Sequence, residues 1–145
     1  MLSGVMRTVR YARGWKNGSA VVLHETTIER DGTTLPATFA VPASHRGDLP
    51  GWIVLGGVTS MGRFHPQIAR FSQALAASGA GVIVPEVPEW RDLRLTPGVT
   101  VPTIKAALCA LGRRPEVRSG KVGLIGFSFG APQAAIASGH VDLAG

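Results

Sequence analysis

One stretch of the chain restricts its possible folds more than any other. The apolar residues 122–125 predict a short buried strand and lead directly into the pentapeptide GFSFG at 126–130. Residues 131–138 then have the composition of a helix. A strand and a helix in immediate succession require a sharp turn between them, so the sequence predicts a strand–turn–helix unit with Ser128 at the turn.

The residue types around Ser128 fit such a turn. A sharp strand-to-helix turn holds the serine in a strained backbone conformation and exposes its hydroxyl above the sheet. The strand and the helix pass close together, and Gly126 and Gly130 remove side chains that would collide there. The helix N-terminus below the serine also favours negative charge. The alternative is a glycine-rich β–α turn that contains a serine by chance.

Strands and helices alternate along the rest of the chain. Residues 21–29 and 35–41 predict a hairpin, with Asp31 and Gly32 at its turn. Apolar runs at 52–55, 82–84 and 122–125 predict strands that are buried on both faces. Apolar residues recur at helical spacing in two segments between these runs: Ile68, Phe71 and Leu75, then Val101, Ile104, Leu108 and Leu111. The pattern predicts an α/β fold with a mostly parallel sheet, a leading antiparallel hairpin and helices on both faces.

The sequence predicts a short tail followed by one domain. Residues 1–19 predict a basic N-terminal tail, and residues 20–145 a single domain. Arg7, Arg10 and Arg13 could share one face of a short helix, as in a mitochondrial presequence, but a frayed tail is favoured. No apolar run reaches the ~18 residues of a membrane span. No secretory signal is expected either, since the N-terminus lacks an apolar core segment.

The charge distribution and the single cysteine limit which partners and which cellular compartment are expected. The net charge is +6, but the basic residues are scattered and the few aromatic residues are not interleaved with them, so nucleic-acid binding is not expected. Cys109 is the only cysteine, which is typical of a reducing compartment and predicts a cytoplasmic protein. Because it lies in an apolar run, Cys109 is predicted to be a buried structural thiol. No pair of His or Cys residues has metal-ligand spacing.

The loop at 56–63, after the first predicted parallel strand, is a second candidate site element. Acyl transfer at a serine requires two backbone N–H donors for the oxyanion. The N–H of Phe129, directly after Ser128, would be one. The N–H of Val58 would be the other, because Gly57 lets the backbone turn inward. A phosphate-binding loop is the alternative, but the Gly-Lys-Ser/Thr ending of such loops is missing.

Four segments together resemble the α/β-hydrolase superfamily, and in particular its dienelactone-hydrolase-like and esterase-like members. These are DGTTLPATFAVP at 31–42, LGGV at 55–58, VPE at 84–86 and GFSFGAPQ at 126–133. The resemblance implies hydrolysis of a carboxylic ester, thioester or lactone through an acyl-serine intermediate. Ser128 would be the nucleophile, with a small-molecule acyl substrate and no cofactor. Gly56 stands where many members have histidine, which affects the support of the loop.

The catalytic acid and base implied by that resemblance are missing from their usual places. In the superfamily the catalytic serine is followed along the chain by the acid and then by the histidine. Here the only histidine after Ser128 is His140 and the only acidic residue is Asp142, so the order is reversed and both lie in a short tail. We therefore expect the chain to be the N-terminal portion of a longer hydrolase. The strand at 122–125 would then be an apolar sheet edge, open to self-association. A catalytically inactive hydrolase-like fragment or a binding module is the alternative.

Earlier residues are weaker candidates for the missing groups. His65 follows the loop at 56–63 and is a candidate base, or else a residue that starts the next helix. Glu86, Glu89 and Asp92 follow the next strand, on the same side of the sheet. The segment 86–96, which contains Trp90 and Leu93, either lines the substrate pocket or is a solvated connection.

Overall fold

The predicted hairpin forms the first two strands of the sheet. The structure is a computed structural model that describes residues 4–18 and 20–141, with Lys121 described through its backbone alone. Strands β1 (Val21–Arg30) and β2 (Thr33–Pro42) pair antiparallel along their whole length. Asp31 and Gly32 have φ angles of 50° and 78°. Positive φ at both central residues is what a type I′ turn requires, and Asp-Gly adopts it readily.

Three further strands complete a five-stranded sheet in the order β1-β2-β4-β3-β5. They are β3 (Leu49–Leu55), β4 (Gly81–Pro85) and β5 (Val117–Gly126). β4 pairs antiparallel with β2, while β3 lies parallel to both β4 and β5. The predicted mostly parallel sheet with a leading antiparallel hairpin is therefore confirmed. Among the described strands, β5 pairs only with β3 and forms one edge of the sheet.

Helices cover both faces of the sheet, as the buried strands predicted. They are α1 (Gly4–Asn17), α2 (Pro66–Ala77), α3 (Pro88–Arg91), α4 (Thr100–Gly112) and α5 (Gly130–Ser138). Ile53 and Val54, adjacent on β3, are both fully buried but belong to two different apolar clusters. The Ile53 cluster includes residues of α4 and α5, and the Val54 cluster includes residues of α2. No described helix is long and apolar enough to cross a membrane.

The N-terminal segment is helical, so the prediction of a frayed tail is wrong for residues 4–17. The ring of Tyr11 packs edge-on against Phe71 of α2, with 5.8 Å between ring centroids. Arg70 of α2 donates a hydrogen bond from Nε to the carbonyl oxygen of Trp15 at 2.7 Å. These contacts between helices stabilise α1, and local sequence does not reveal them. Residues 1–3 and Ser19 lie outside the described residues.

Cys109 is exposed, so the prediction of a buried thiol is wrong. Helix α4 buries Ile104, Ala107 and Leu111 in the core. Cys109 lies one helical turn after Lys105, which is also exposed. The run 104–111 is apolar on most sides, so its composition did not reveal which side faces the sheet.

We expect the single thiol to react rapidly with a dithionitrobenzoate reagent in the native protein, because Cys109 lies on the solvent side of α4. The measurement compares the rate of absorbance change in buffer with the rate in denaturant. Similar rates support the exposed position. A native protein that reacts only after unfolding would contradict it.

Candidate active site

Ser128 lies at the turn between β5 and α5, and its backbone is strained. Its φ angle is 53°, in the left-handed region, which costs a non-glycine residue about 1–3 kcal/mol. The surrounding backbone holds the turn in place. Phe127 N–H donates to the carbonyl oxygen of Leu55 at 3.0 Å, and Ala131 N–H donates to that of Ser128 at 3.0 Å. Ser128 itself is exposed.

Close backbone contacts explain the two flanking glycines. A Cβ atom on Gly126 would lie 2.2 Å from the carbonyl oxygen of Gly130. A Cβ atom on Gly130 would lie 2.4 Å from the carbonyl oxygen of Gly56. Both clashes are with backbone atoms, which cannot rotate away. The strand, the helix and the loop after β3 therefore meet at a point that accepts no side chain at either position.

The loop after β3 lies against the side chain of Ser128. Because β3 and β5 are parallel neighbours, their carboxyl ends share one edge of the sheet. A Cβ atom on Gly57 would lie 3.0 Å from Cβ and 3.3 Å from Oγ of Ser128. Among the described residues, the N–H groups of Val58 and Phe129 donate to no other backbone or side-chain group. Two unpaired N–H groups near a serine hydroxyl are able to bind an oxyanion.

A cavity of about 400 Å³ opens beside Ser128. Its walls include Val58, His65, Phe71 and Phe127, and Trp15 of helix α1 also lines it. The volume lies within the ~300–1,000 Å³ range typical of small-molecule sites. The sequence did not indicate the part played by Trp15. The only available signal was the spacing of four residues between Tyr11 and Trp15, which fits an aromatic pair on one side of a helix.

His65 lines this cavity, but its side chain caps the N-terminus of α2. It is the N-cap of that helix, and its Nδ1 accepts a hydrogen bond from Gln67 N–H at 3.3 Å. A neutral imidazole whose Nδ1 accepts a hydrogen bond carries its proton on Nε2. Nδ1 is therefore engaged at the start of the helix, and among the described residues His65 has no hydrogen bond to Ser128. This geometry supports the interpretation of His65 as a helix-start residue.

The three carboxylates that follow β4 are each paired with an arginine. Glu86 is buried and accepts a hydrogen bond from Arg63 N–H at 3.4 Å. Glu89 contacts Arg30 at 2.5 Å. Burial raises the pKa of Glu89 and is the largest single effect, but the hydrogen bonds from Arg30 and from the backbone, together with the charges of Arg30 and Arg94, outweigh it, so the net pKa is lowered.

Asp92 pairs with Arg94 on the surface, at 3.4 Å. Like Glu86 and Glu89, it has no hydrogen bond to Ser128 among the described residues.

The other histidines lie elsewhere. His24 is beside the ring of Phe39, with 6.2 Å between ring centroids, and Nδ1 of His45 accepts from Gly47 N–H at 3.1 Å. His140 follows the end of α5, and Asp142 lies outside the described residues. Within residues 4–18 and 20–141, no histidine is hydrogen-bonded to Ser128. In the same residues, no group of three or more His, Cys, Asp or Glu is placed to hold a metal ion.

No residue of the segment 86–96 lines this cavity, but Trp90 packs against Phe129, the residue after Ser128. Trp90 is only 2% exposed and donates from Nε1 to the carbonyl oxygen of Thr96 at 3.2 Å. Its ring packs edge-on against Phe129, with 5.3 Å between centroids. Leu93 is 62% exposed. Trp90 thus fixes the side chain of the residue that follows Ser128.

We compared the chain with known protein sequences and solved structures. No family model and no curated protein sequence matches the chain. Brefeldin A esterase, a bacterial homologue of human hormone sensitive lipase, matches with a TM-score of 0.70 and 22% identity, over 85% of this chain and 36% of the esterase. The dienelactone hydrolase of Anabaena variabilis matches with a TM-score of 0.68 and 18% identity, over 83% of this chain and 58% of that enzyme.

A third structure is a dienelactone hydrolase-like promiscuous phosphotriesterase from metagenomic libraries. It has a TM-score of 0.70 and 20% identity, over 83% of this chain and 54% of the other. The chain therefore spans between about a third and three-fifths of the length of these proteins. The strand order, the turn at Ser128 and these likenesses agree. The chain has the α/β-hydrolase fold, in the arrangement found in the dienelactone hydrolases and esterases that it resembles.

Proposed function

We propose that this chain carries the nucleophile and the oxyanion donors of a serine hydrolase that cleaves carboxylic esters, thioesters or lactones. The observation that carries the proposal is Ser128, with its φ of 53° at the turn from β5 to α5. Strain in an exposed serine, directly after a strand and against the loop of the neighbouring strand, is typical of a nucleophile elbow. The esterases and dienelactone hydrolases among the structural neighbours support the same chemistry.

The chemistry would run in two steps. Oγ of Ser128 attacks the carbonyl carbon, and its proton passes to a base. The carbonyl oxygen becomes an oxyanion, which accepts hydrogen bonds from the N–H groups of Val58 and Phe129. The leaving alcohol or thiol takes a proton, and water then releases the acid from the acyl-serine. Because His65 is engaged at the start of α2, the base and its orienting acid are supplied by groups other than the described residues.

A fluorophosphonate probe tests the nucleophile. We expect it to label Ser128 and no other residue, and the Ser128→Ala variant to remain unlabelled. Labelling of this chain alone should be slow, since loss of the base typically leaves only about 10³–10⁴ of rate enhancement over water. Mass spectrometry of the labelled peptide identifies the site.

The matched control is Ser44→Ala, which removes an exposed serine from the connection between β2 and β3. It should label like the unmodified chain. Equal labelling of the Ser128→Ala variant would show that the probe reacts elsewhere and would contradict the proposal.

The second candidate function is a catalytically inactive module that binds a small apolar ligand. It is favoured by one observation: within the described residues, no base reaches Ser128. An inactive module would bind apolar ligands in the cavity, while Ser128 stayed unlabelled even in the full-length gene product.

A further inference from the structure

One wall of the cavity beside Ser128 is formed by the N-terminal helix α1, which precedes the first strand of the sheet. We propose that helix α1 builds, through Trp15, one side of a binding pocket for an apolar acyl group larger than acetyl. The pocket is a ligand site in its own right, and its description as an acyl pocket rests on the proposed hydrolase function. The substrate class is then an uncharged ester or thioester with an apolar chain.

A run of aromatic contacts connects α1 to the residue before Ser128. The rings of Trp15 and Tyr11 stack at 6.4 Å. Tyr11 lies edge-on to Phe71 at 5.8 Å, and Phe71 lies edge-on to Phe127 at 4.8 Å. These centroid distances fall within the ~4.5–7 Å over which aromatic pairs attract. The position of α1 is therefore coupled to the backbone that carries Ser128.

Arg70 fixes Trp15 at the C-terminal end of α1. Its guanidinium lies over the indole ring, 4.5 Å from the centroid. The same guanidinium donates hydrogen bonds to the carbonyl oxygen of Trp15, from Nε at 2.7 Å and from a terminal nitrogen. A cation at the last turn of a helix also interacts favourably with its free carbonyl groups. The indole is thus held in place and is available as a rigid wall.

The chemistry of the lining indicates what the cavity binds. Trp15, Ile68, Phe71 and Phe127 supply apolar surface, and Ser128 lies among them. None of the described residues that line the cavity is a carboxylate, a lysine or an arginine. Thr59, His65 and Gln67 add polar groups to the lining. A charged acyl group would still meet no carboxylate, lysine or arginine there to offset its lost hydration, whereas an alkyl chain gains from leaving water. A cavity of about 400 Å³ is also larger than an acetyl group needs.

The test measures binding rather than turnover. Two uncharged ketones, methyl hexyl ketone and acetone, imitate a long and a short acyl group without being hydrolysed, and titration calorimetry or NMR gives their affinities. We expect methyl hexyl ketone to bind much more tightly than acetone. The Trp15→Ala variant should bind it roughly tenfold more weakly, because the variant loses one apolar wall.

Two controls separate the wall from the stability of the helix. Val9→Ala changes an exposed position of α1, 53% exposed, and should leave the affinity unchanged. Trp15→Phe keeps an aromatic ring and should retain most of the affinity. Equal affinities of the two ketones for the unmodified chain, or unchanged binding in Trp15→Ala, would overturn the proposal.

The same titration on the Ser128→Ala variant distinguishes the pocket from the hydrolase function. Binding that survives in this variant and still depends on Trp15 supports the pocket, whatever the fluorophosphonate result. If the probe labels Ser128 but neither ketone binds, the hydrolase function stands and the apolar pocket is refuted.

Discussion

Replacing Gly126 by alanine should destabilise the protein strongly and abolish labelling of Ser128. The new Cβ atom would lie 2.2 Å from the carbonyl oxygen of Gly130 and 2.9 Å from the Cα atom of Ala131. Both are backbone atoms of α5, so the clash is relieved only if the helix moves away from β5. Overpacking of this kind costs about 1–3 kcal/mol and occasionally more, and we expect the upper end because no side chain is able to rotate away.

Urea unfolding, followed by circular dichroism, measures this cost as a lower midpoint for Gly126→Ala. The matched control is Gly98→Ala, where a Cβ atom would meet nothing within 4 Å and φ is not in the left-handed region. That control should be neutral, or more stable by about 0.4–1 kcal/mol, since alanine reduces the freedom of the unfolded chain. Equal midpoints for the two variants would mean that β5 and α5 are not in close contact at Gly126.

The elements of the sheet were predictable because their signals are local. Each parallel strand is a short apolar run, and the Asp31-Gly32 turn selects the hairpin by itself. The sequence also placed Ser128 at a turn, since strand, glycines and helix follow one another without a gap. The order of the strands was not predicted from local sequence: β4 lies between β2 and β3, and this pairing depends on how the helices pack on the two faces.

The features that were missed depend on contacts between distant segments. Helix α1 is held by Phe71 and Arg70, both more than fifty residues later in the chain. The Trp15 wall of the cavity follows from that docking and was missed with it. The sequence identified His65 as a candidate, but only the structure showed that its Nδ1 accepts a hydrogen bond from Gln67 N–H at the start of α2.

A buried ion pair beside the loop after β3 was also not predicted from the sequence. The side chains of Arg63 and Glu86 are 7% and 4% exposed, and Nε of Arg63 lies 3.7 Å from Glu86 Oε2. Glu86 directly follows β4, and Arg63 lies in the 3₁₀ turn Gly62–Phe64 that ends the loop after β3. A Cβ atom on Gly62 would lie 2.2 Å from Glu86 Oε1. The carboxylate therefore sits directly against the loop that carries Val58.

Arg63 extends this pair across the hairpin. Nη2 of Arg63 lies 2.8 Å from Glu25 Oε2 on β1, and Nη1 donates to the hydroxyl of Thr38 on β2. The hydrogen bond from Arg63 holds the pKa of Glu25 below its ordinary value. Glu25 is 66% exposed, however, so water already solvates it. The two carboxylates that share Arg63 therefore have very different surroundings.

Those surroundings predict unequal effects for two chemically identical substitutions. Glu86→Gln removes the buried charge and leaves Arg63 with only an exposed carboxylate partner. Loss of one member of a buried pair costs about 3–5 kcal/mol, and we expect the lower end because Arg63 keeps Glu25 and Thr38. Glu25→Gln, the matched control, breaks a pair with an exposed partner and should cost about 0–1 kcal/mol. Urea unfolding of both variants gives the two free energies of unfolding.

The same two variants also test whether the Arg63–Glu86 pair affects the reactivity of Ser128. Glu86→Gln should also slow fluorophosphonate labelling of Ser128 under native conditions, since the loop that presents the N–H of Val58 loses the charge attraction between Arg63 and Glu86. Glu25→Gln should change the labelling rate much less, because Glu25 contacts that loop only through the exposed side of the Arg63 guanidinium, which keeps Glu86 and Thr38 as partners. If both variants lost the same stability, Glu86 would be no more than another surface partner of Arg63. The conformation of the loop after β3 would then not depend on Glu86.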